Sequence, residues 1–228
     1  MKKLLLLLII PFLSFGQTPI TDDNINQAVG DWLADPIQAE DTYGHIIDWE
    51  VSQVTDMSYL FNNLPASYLN SNFLDLTTWD TSNVTSMESM FDAFDWAPYE
   101  DGPGFTLALN THQVTVNGKT YTAWDVSSVQ NMSSMFNTIQ IGFIDMSNWD
   151  VSSVQNMSKM FANNGLDRRT YDFSSWDTSS VTDMSSMFSN TQSGMILSPL
   201  TNWDTSKVTD MSNLFYFGPE FDGTININ

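Results

Sequence analysis

The 228-residue chain has no cysteine, seven basic residues, two histidines and only one long apolar run. Without cysteine there is no disulfide framework, no thiolate metal site and no lipid-modified N-terminal cysteine, so stability has to come from packing. Two of the bases, Lys2 and Lys3, precede the apolar run at residues 4–13, and Ser14 and Gly16 then supply small residues suited to cleavage. This reads as a secretory signal peptide over residues 1–16, with Gln17 as the mature start and a secreted or cell-surface destination. The run is too short to span a bilayer, and no later stretch is long enough, so no transmembrane segment is expected in the mature chain. The five remaining bases, Lys119, Lys159, Arg168, Arg169 and Lys207, face 27 acids, a formal net charge of −22. Such a surface repels phosphate backbones and anionic lipid, which excludes nucleic acid as a partner, and the acidity serves solubility outside the cell.

Catalytic signatures are equally scarce. There is no nucleophile elbow, phosphate loop or histidine-rich zinc motif, and the chain is expected not to be an enzyme and to carry no cofactor. His45, in YGHIIDWE, is read as making a structural hydrogen bond.

The chain does have a thirteen-residue phrase that returns six times, from WEVSQVTDMSYLF at residues 49–61 to WDTSKVTDMSNLF at residues 203–215. The copies begin at Trp49, Trp79, Trp124, Trp149, Trp176 and Trp203, giving steps of 30, 45, 25, 27 and 27 residues. Six of the eight tryptophans and ten of the thirteen methionines fall in these phrases, so the composition is mostly repeat composition. A regular recurrence of this kind points to a stack of one supersecondary unit.

In the fourth copy Val154, Met157, Met160 and Phe161 fall at i, i+3, i+6 and i+7, the spacing of one helical face. Ser152 and its equivalents Ser52, Ser82, Ser127, Ser179 and Ser206 are placed to cap that helix, with Gln155 completing a capping box. Short segments of β character precede each Trp, as at 144–149 and 171–176, with an apolar residue three positions before it: Ile46, Leu76, Tyr121, Met146, Phe173 or Leu200. The expected fold is therefore an α/β repeat solenoid of leucine-rich-repeat-like coils, each a short parallel strand, a turn and a short helix. Its interior ladders are expected to be Trp49, Trp79, Trp124, Trp149, Trp176 and Trp203; Met57, Met87, Met132, Met157, Met184 and Met211; and Phe61, Phe91, Phe136, Phe161, Phe188 and Phe215. The acid after each Trp most simply accepts backbone hydrogen bonds in the turn; a calcium ladder along the aligned acids is the alternative.

Residues 17–48 are expected to be an N-terminal helical cap. Thr21 or Asp22 would cap its helix; Ile25, Val29, Trp32 and Leu33 share one face, and Pro36 follows its end. The array then runs over residues 49–228 and ends in a half unit. The 45-residue step inserts residues 92–123, with the acidic and aromatic stretch DWAPYEDGPG at 95–104 and then VTVNGKTYT at 114–122. The latter signals a β-hairpin with Asn117 and Gly118 in a type I′ turn. Trp96, Tyr99 and Tyr121 are the candidate ligand-binding aromatics of this region.

WDVSSVQNMSSMF, with Trp, Val, Met and Phe in register between copies, closely resembles the repeats of BspA-like leucine-rich-repeat bacterial surface proteins. The opening ITDDNINQAVGDWLADPIQAEDTYGHIIDWEVSQVTDM is similar to the region that often leads such arrays, so the resemblance covers residues 20–228. It implies a bacterial secreted or surface protein of the kind implicated in adhesion. The functional expectation is a non-enzymatic adhesion or recognition protein whose partner is a protein or glycan on another cell or matrix. Alternatives are a carbohydrate-binding module using exposed aromatics and a purely structural envelope or matrix repeat.

Overall fold

The computed structural model describes residues 17–62, 64, 73–92, 106–109, 111–138, 145–164, 170–191, 196–218 and 220–221. The expected signal peptide, Trp96, Tyr99 and most of the closing half unit lie outside these residues. Among the described residues helix is confined to the N-terminal part: α1 (Ile25–Ala34), α2 (Pro36–Tyr43) and a single 3-10 turn (Ile46–Asp48). Strands β1 (Phe73–Asp75) and β2 (Thr106–Ala108) form a parallel pair. An antiparallel hairpin joins β3 (Gln113–Val116) to β4 (Lys119–Thr122). Finally, β5 (Thr170–Tyr171), β6 (Ile196–Leu197) and β7 (Glu220–Phe221) form a parallel three-stranded sheet.

These elements overturn the leucine-rich-repeat-like α/β solenoid expected from the sequence. Among the described residues the phrases contain no helix, and the strands make three small open sheets, not one continuous parallel sheet. The segment read as a helix is a succession of turns. In the first copy the Leu60 N–H donates to the Met57 carbonyl at 3.4 Å, and Tyr59 at the third turn position has φ 62°. The equivalent residues Ser89, Ser134, Lys159, Ser186 and Asn213 also have positive φ. A left-handed residue in the middle of the Met-to-Phe stretch ends any α-helix there.

The backbone donors explain why the turns are preferred. In the fourth copy the N–H groups of Met157, Lys159 and Phe161 donate to the carbonyls of Asp183, Ser185 and Met187, each at 2.9 Å, while Thr182 donates back to Gln155 at 2.8 Å. The same four bonds recur at all five junctions between copies, and a ladder of parallel bridges runs Asp56, Ser86, Asn131, Asn156, Asp183, Asp210. Groups that an α-helix would pair four residues back are thus committed to the neighbouring copy.

Side chains reinforce the choice. Asp150 Oδ1 accepts from the Ser152 N–H at 3.1 Å, and Asn156 Oδ1 accepts from the Ser158 N–H at 2.9 Å. The serine read as a helix cap therefore closes an Asx turn, and short polar side chains of this kind draw the backbone out of helix.

Packing between copies is aromatic. The six phrase phenylalanines stack in order, with successive ring centroids 5.4 to 5.8 Å apart. All six phrase tryptophans are buried, as are the Met and Phe residues of the first five copies; in the last copy Met211 and Phe215 are partly exposed. Each buried Phe contributes about 1.5–3 kcal/mol from burial.

The indole N–H groups tie the copies together. Trp79 donates to the Ile46 carbonyl at 2.9 Å, Trp124 to Leu76 at 2.7 Å, Trp176 to Met146 at 3.0 Å and Trp203 to Phe173 at 2.9 Å. In each case the acceptor lies three residues before the preceding phrase Trp. Trp149 departs from this rule: its Nε1 is buried and has no partner.

The N-terminal region closes the first copy. Ile25, Val29 and Trp32 of α1 are buried, and Trp32 meets Trp49 edge-on with centroids 6.1 Å apart. Asp22 does not cap α1, whose N-cap is Asn24 with no side-chain capping bond. Instead Asp22 Oδ1 accepts from the N–H of Thr55 at 2.7 Å and of Asp56 at 3.2 Å, and Oδ2 accepts from the Thr55 hydroxyl at 2.7 Å. At every later junction the equivalent of the Thr55 N–H is taken by a carbonyl of the previous copy, so the Asp22 carboxylate replaces the copy that is not there. Pro36 opens α2, where the Asp35 carboxylate caps the N–H groups of Ile37 and Gln38.

Candidate functional site

The hairpin β3–β4 follows β2 within the long insertion. Asn117 and Gly118 at its tip have φ 51° and 80°, both in the left-handed region that a type I′ turn requires. The hairpin is attached by β4 to the second copy. Lys119 Nζ donates to Asp80 Oδ2 at 2.8 Å, and the Tyr121 hydroxyl donates to the Thr78 carbonyl. Lys119 Nζ also sits 5.4 Å from the centre of the Tyr121 ring. On the same strand pair the Thr115 and Thr120 hydroxyls bond each other at 2.8 Å, in register across the hairpin.

The electrostatics follow from this geometry. Burial raises the Asp80 carboxyl, but the bonds from Lys119 and Ser82 outweigh it and hold the pKa below the ordinary value. The same bond to Asp80 raises the Lys119 ammonium. Burial pushes the Tyr121 phenol up, with Asp80 and Glu50 adding to the rise. Tyr121 is half-buried and anchored at both its hydroxyl and its ring face, so it braces the hairpin and is not an open stacking platform. The exposed side chains fixed in place by that brace are Gln113, Thr115, Lys119, Thr120 and Thr122.

The acids after the phrase tryptophans have turn roles. Oδ1 of Asp80, Asp125, Asp150, Asp177 and Asp204 each accepts from the N–H of the serine two residues on, at 2.9 to 3.3 Å. Among the described residues no group of three or more His, Asp or Glu is arranged to hold a metal ion. His45 Nδ1 accepts from the Ile47 N–H at 3.4 Å, and its ring meets Trp32 edge-on at 5.0 Å.

Sequence reasoning located the hairpin but missed its latch. Lys119 is one of only five bases after residue 16 and follows the Asn-Gly turn directly, which was the available signal. Its partner Asp80 lies 39 residues earlier and looked like every other turn acid. No described helix is long and apolar enough to cross a membrane. Neither a curated protein nor a solved structure matches the chain. The chain belongs to the family described as "Mycoplasma protein of unknown function, DUF285", which matches residues 23–96 and 107–227.

Proposed function

We propose that this is an exported, non-enzymatic recognition module of the BspA-like surface-protein kind, which presents the braced hairpin and the adjoining outer turns to a protein or glycan on another cell or matrix. One observation carries the reading: the residues that recur between copies are consumed by packing and turns, while the hairpin interrupts the row and holds a distinct set of side chains outward. On a rigid framework, binding residues concentrate in excursions of this kind. The acidic surface favours neutral or basic partners over anionic ones.

The test uses fluorescently labelled residues 17–228 on immobilised cell surfaces, matrix proteins and glycans. Saturable binding that unlabelled protein competes away is expected, and replacing Thr115, Lys119 and Thr120 by Ala should weaken it. No saturable binding to any surface would refute the recognition role. Unchanged binding by the triple variant would remove the hairpin from it.

A further inference from the structure

The junction between the third and fourth copies lacks two contacts found elsewhere. At three junctions the side chain just before the phrase Trp reaches back to the carbonyl two positions before the preceding Trp. Thr78 bonds Ile47, Ser175 bonds Ser147 at 2.5 Å and Asn202 bonds Ser174 at 3.2 Å. By the same rule Asn148 would reach the Thr122 carbonyl and Trp149 Nε1 the Tyr121 carbonyl. Both acceptors belong to β4, which the hairpin carries away: the Ala123 N–H bonds the His112 carbonyl, and Trp124 takes φ 49° with its N–H on the Trp79 carbonyl. The Trp149 N–H is buried without a partner, and the Asn148 side chain is exposed.

A cleft of about 290 Å³ lies at this junction, lined by Thr122, Asp125, Asn148, Trp149 and Asp150 among others. Asp125 and Asp150 use Oδ1 for their own turns, which leaves Oδ2 of each as an acceptor, whereas Asp80 gives its Oδ2 to Lys119. Trp149 and Asn148 thus line the cleft together with two aspartates, at the junction where two adjacent carbonyl oxygens are missing. Two adjacent oxygens that each accept one hydrogen bond and donate another meet these demands, and the two carboxylates select against an anion.

We propose that this cleft is a subsite for a neutral sugar residue, which places vicinal hydroxyls where the Tyr121 and Thr122 carbonyls would otherwise lie. Trp149 is 4% exposed and its Nε1 is buried, so the proposal requires the hairpin side of the cleft to move outward when a ligand binds. The volume is at the small end for a ligand pocket and suits one ring. The inference rests on the recognition reading above and names the ligand class for it.

The experiment follows the indole N–H signals of residues 17–228 by nuclear magnetic resonance, with Trp149 assigned from Trp149→Phe. Glucose, galactose, mannose and N-acetylglucosamine are titrated, with glucuronate and calcium chloride as controls. At least one neutral sugar should shift the Trp149 signal saturably, and Asn148→Ala, at an exposed position, should weaken that binding by about tenfold. Absence of a shift with every neutral sugar overturns the subsite, as does an equal response to glucuronate or calcium. Loss of sugar binding with surface binding retained refutes the subsite alone; sugar binding without any surface binding refutes the recognition role alone.

Discussion

Replacing phrase tryptophans by phenylalanine should give unequal losses, and the inequality measures the indole bonds. Trp149 and Trp176 are both almost fully buried, so the volume lost on Trp→Phe is the same and its cost cancels between the two variants. Trp176→Phe removes the bond to the Met146 carbonyl at 3.0 Å, a net loss of about 0.5–1.5 kcal/mol. Trp149→Phe removes a buried N–H that has no acceptor, and the penalty it relieves is about 1–3 kcal/mol. Trp176→Phe should therefore be the less stable variant by about 1.5–4.5 kcal/mol. Even the lower figure separates the melting temperatures by about 3–6 °C in a chain of this size. Urea titrations followed by circular dichroism give the difference directly, with Trp79→Phe and Trp203→Phe behaving like Trp176→Phe. Equal destabilisation by Trp149→Phe and Trp176→Phe would refute the role assigned to the indole bonds.

Other substitutions probe the turns, the stack and the edge. Lys159→Gly should leave stability unchanged or raise it by up to about 1 kcal/mol, because Lys159 has φ 55°; in a helix the same change would cost about 1 kcal/mol, so chemical denaturation distinguishes the two by sign. Phe161→Ala, between Phe136 and Phe188, should cost about 3–5 kcal/mol in thermal melts, and Phe215→Ala at the partly exposed end clearly less. For Asp22, burial is outweighed by the bonds from Thr55 and Asp56, so its folded pKa lies below the ordinary 3.8. The stability it contributes is present above that value and is lost as pH falls through the folded pKa; acid titration of Asp22→Asn should show a smaller loss over that window than the parent chain. Lys119→Met should speed hydrogen exchange in β3 and β4 and lower the melting temperature, since the Lys119 side chain is 53% exposed but that of Asp80 only 6%, and the substitution leaves a buried carboxylate oxygen without its donor.

Much of the core could be read from the spacing of Trp, Met and Phe, since apolar side chains recurring at fixed offsets have to face one interior. The Asn117-Gly118 turn was equally legible, because few residues tolerate two successive left-handed conformations. The conformation of the Met-to-Phe stretch was not. Val154, Met157, Met160 and Phe161 present one apolar face whether the chain is helical or a row of turns, so hydrophobic periodicity does not separate the two. The serines and asparagines between them were the warning, as residues that favour local side-chain bonds over helix.

The sequence by itself determined the period, the inward-facing residues and the place where the row is interrupted, because these depend on side-chain chemistry repeated along the chain. Only the tertiary structure decided where the backbone N–H groups go. Met157, Lys159 and Phe161 bond to residues 26 positions later, and a partner that distant leaves no trace in a local pattern. The same holds for Asp22, which stands in for a missing copy, and for Trp149 and Asn148. Their sequence context matches that of the other copies, and they lack the acceptors found at other junctions because a hairpin 26 to 36 residues earlier in the chain carries two carbonyls away.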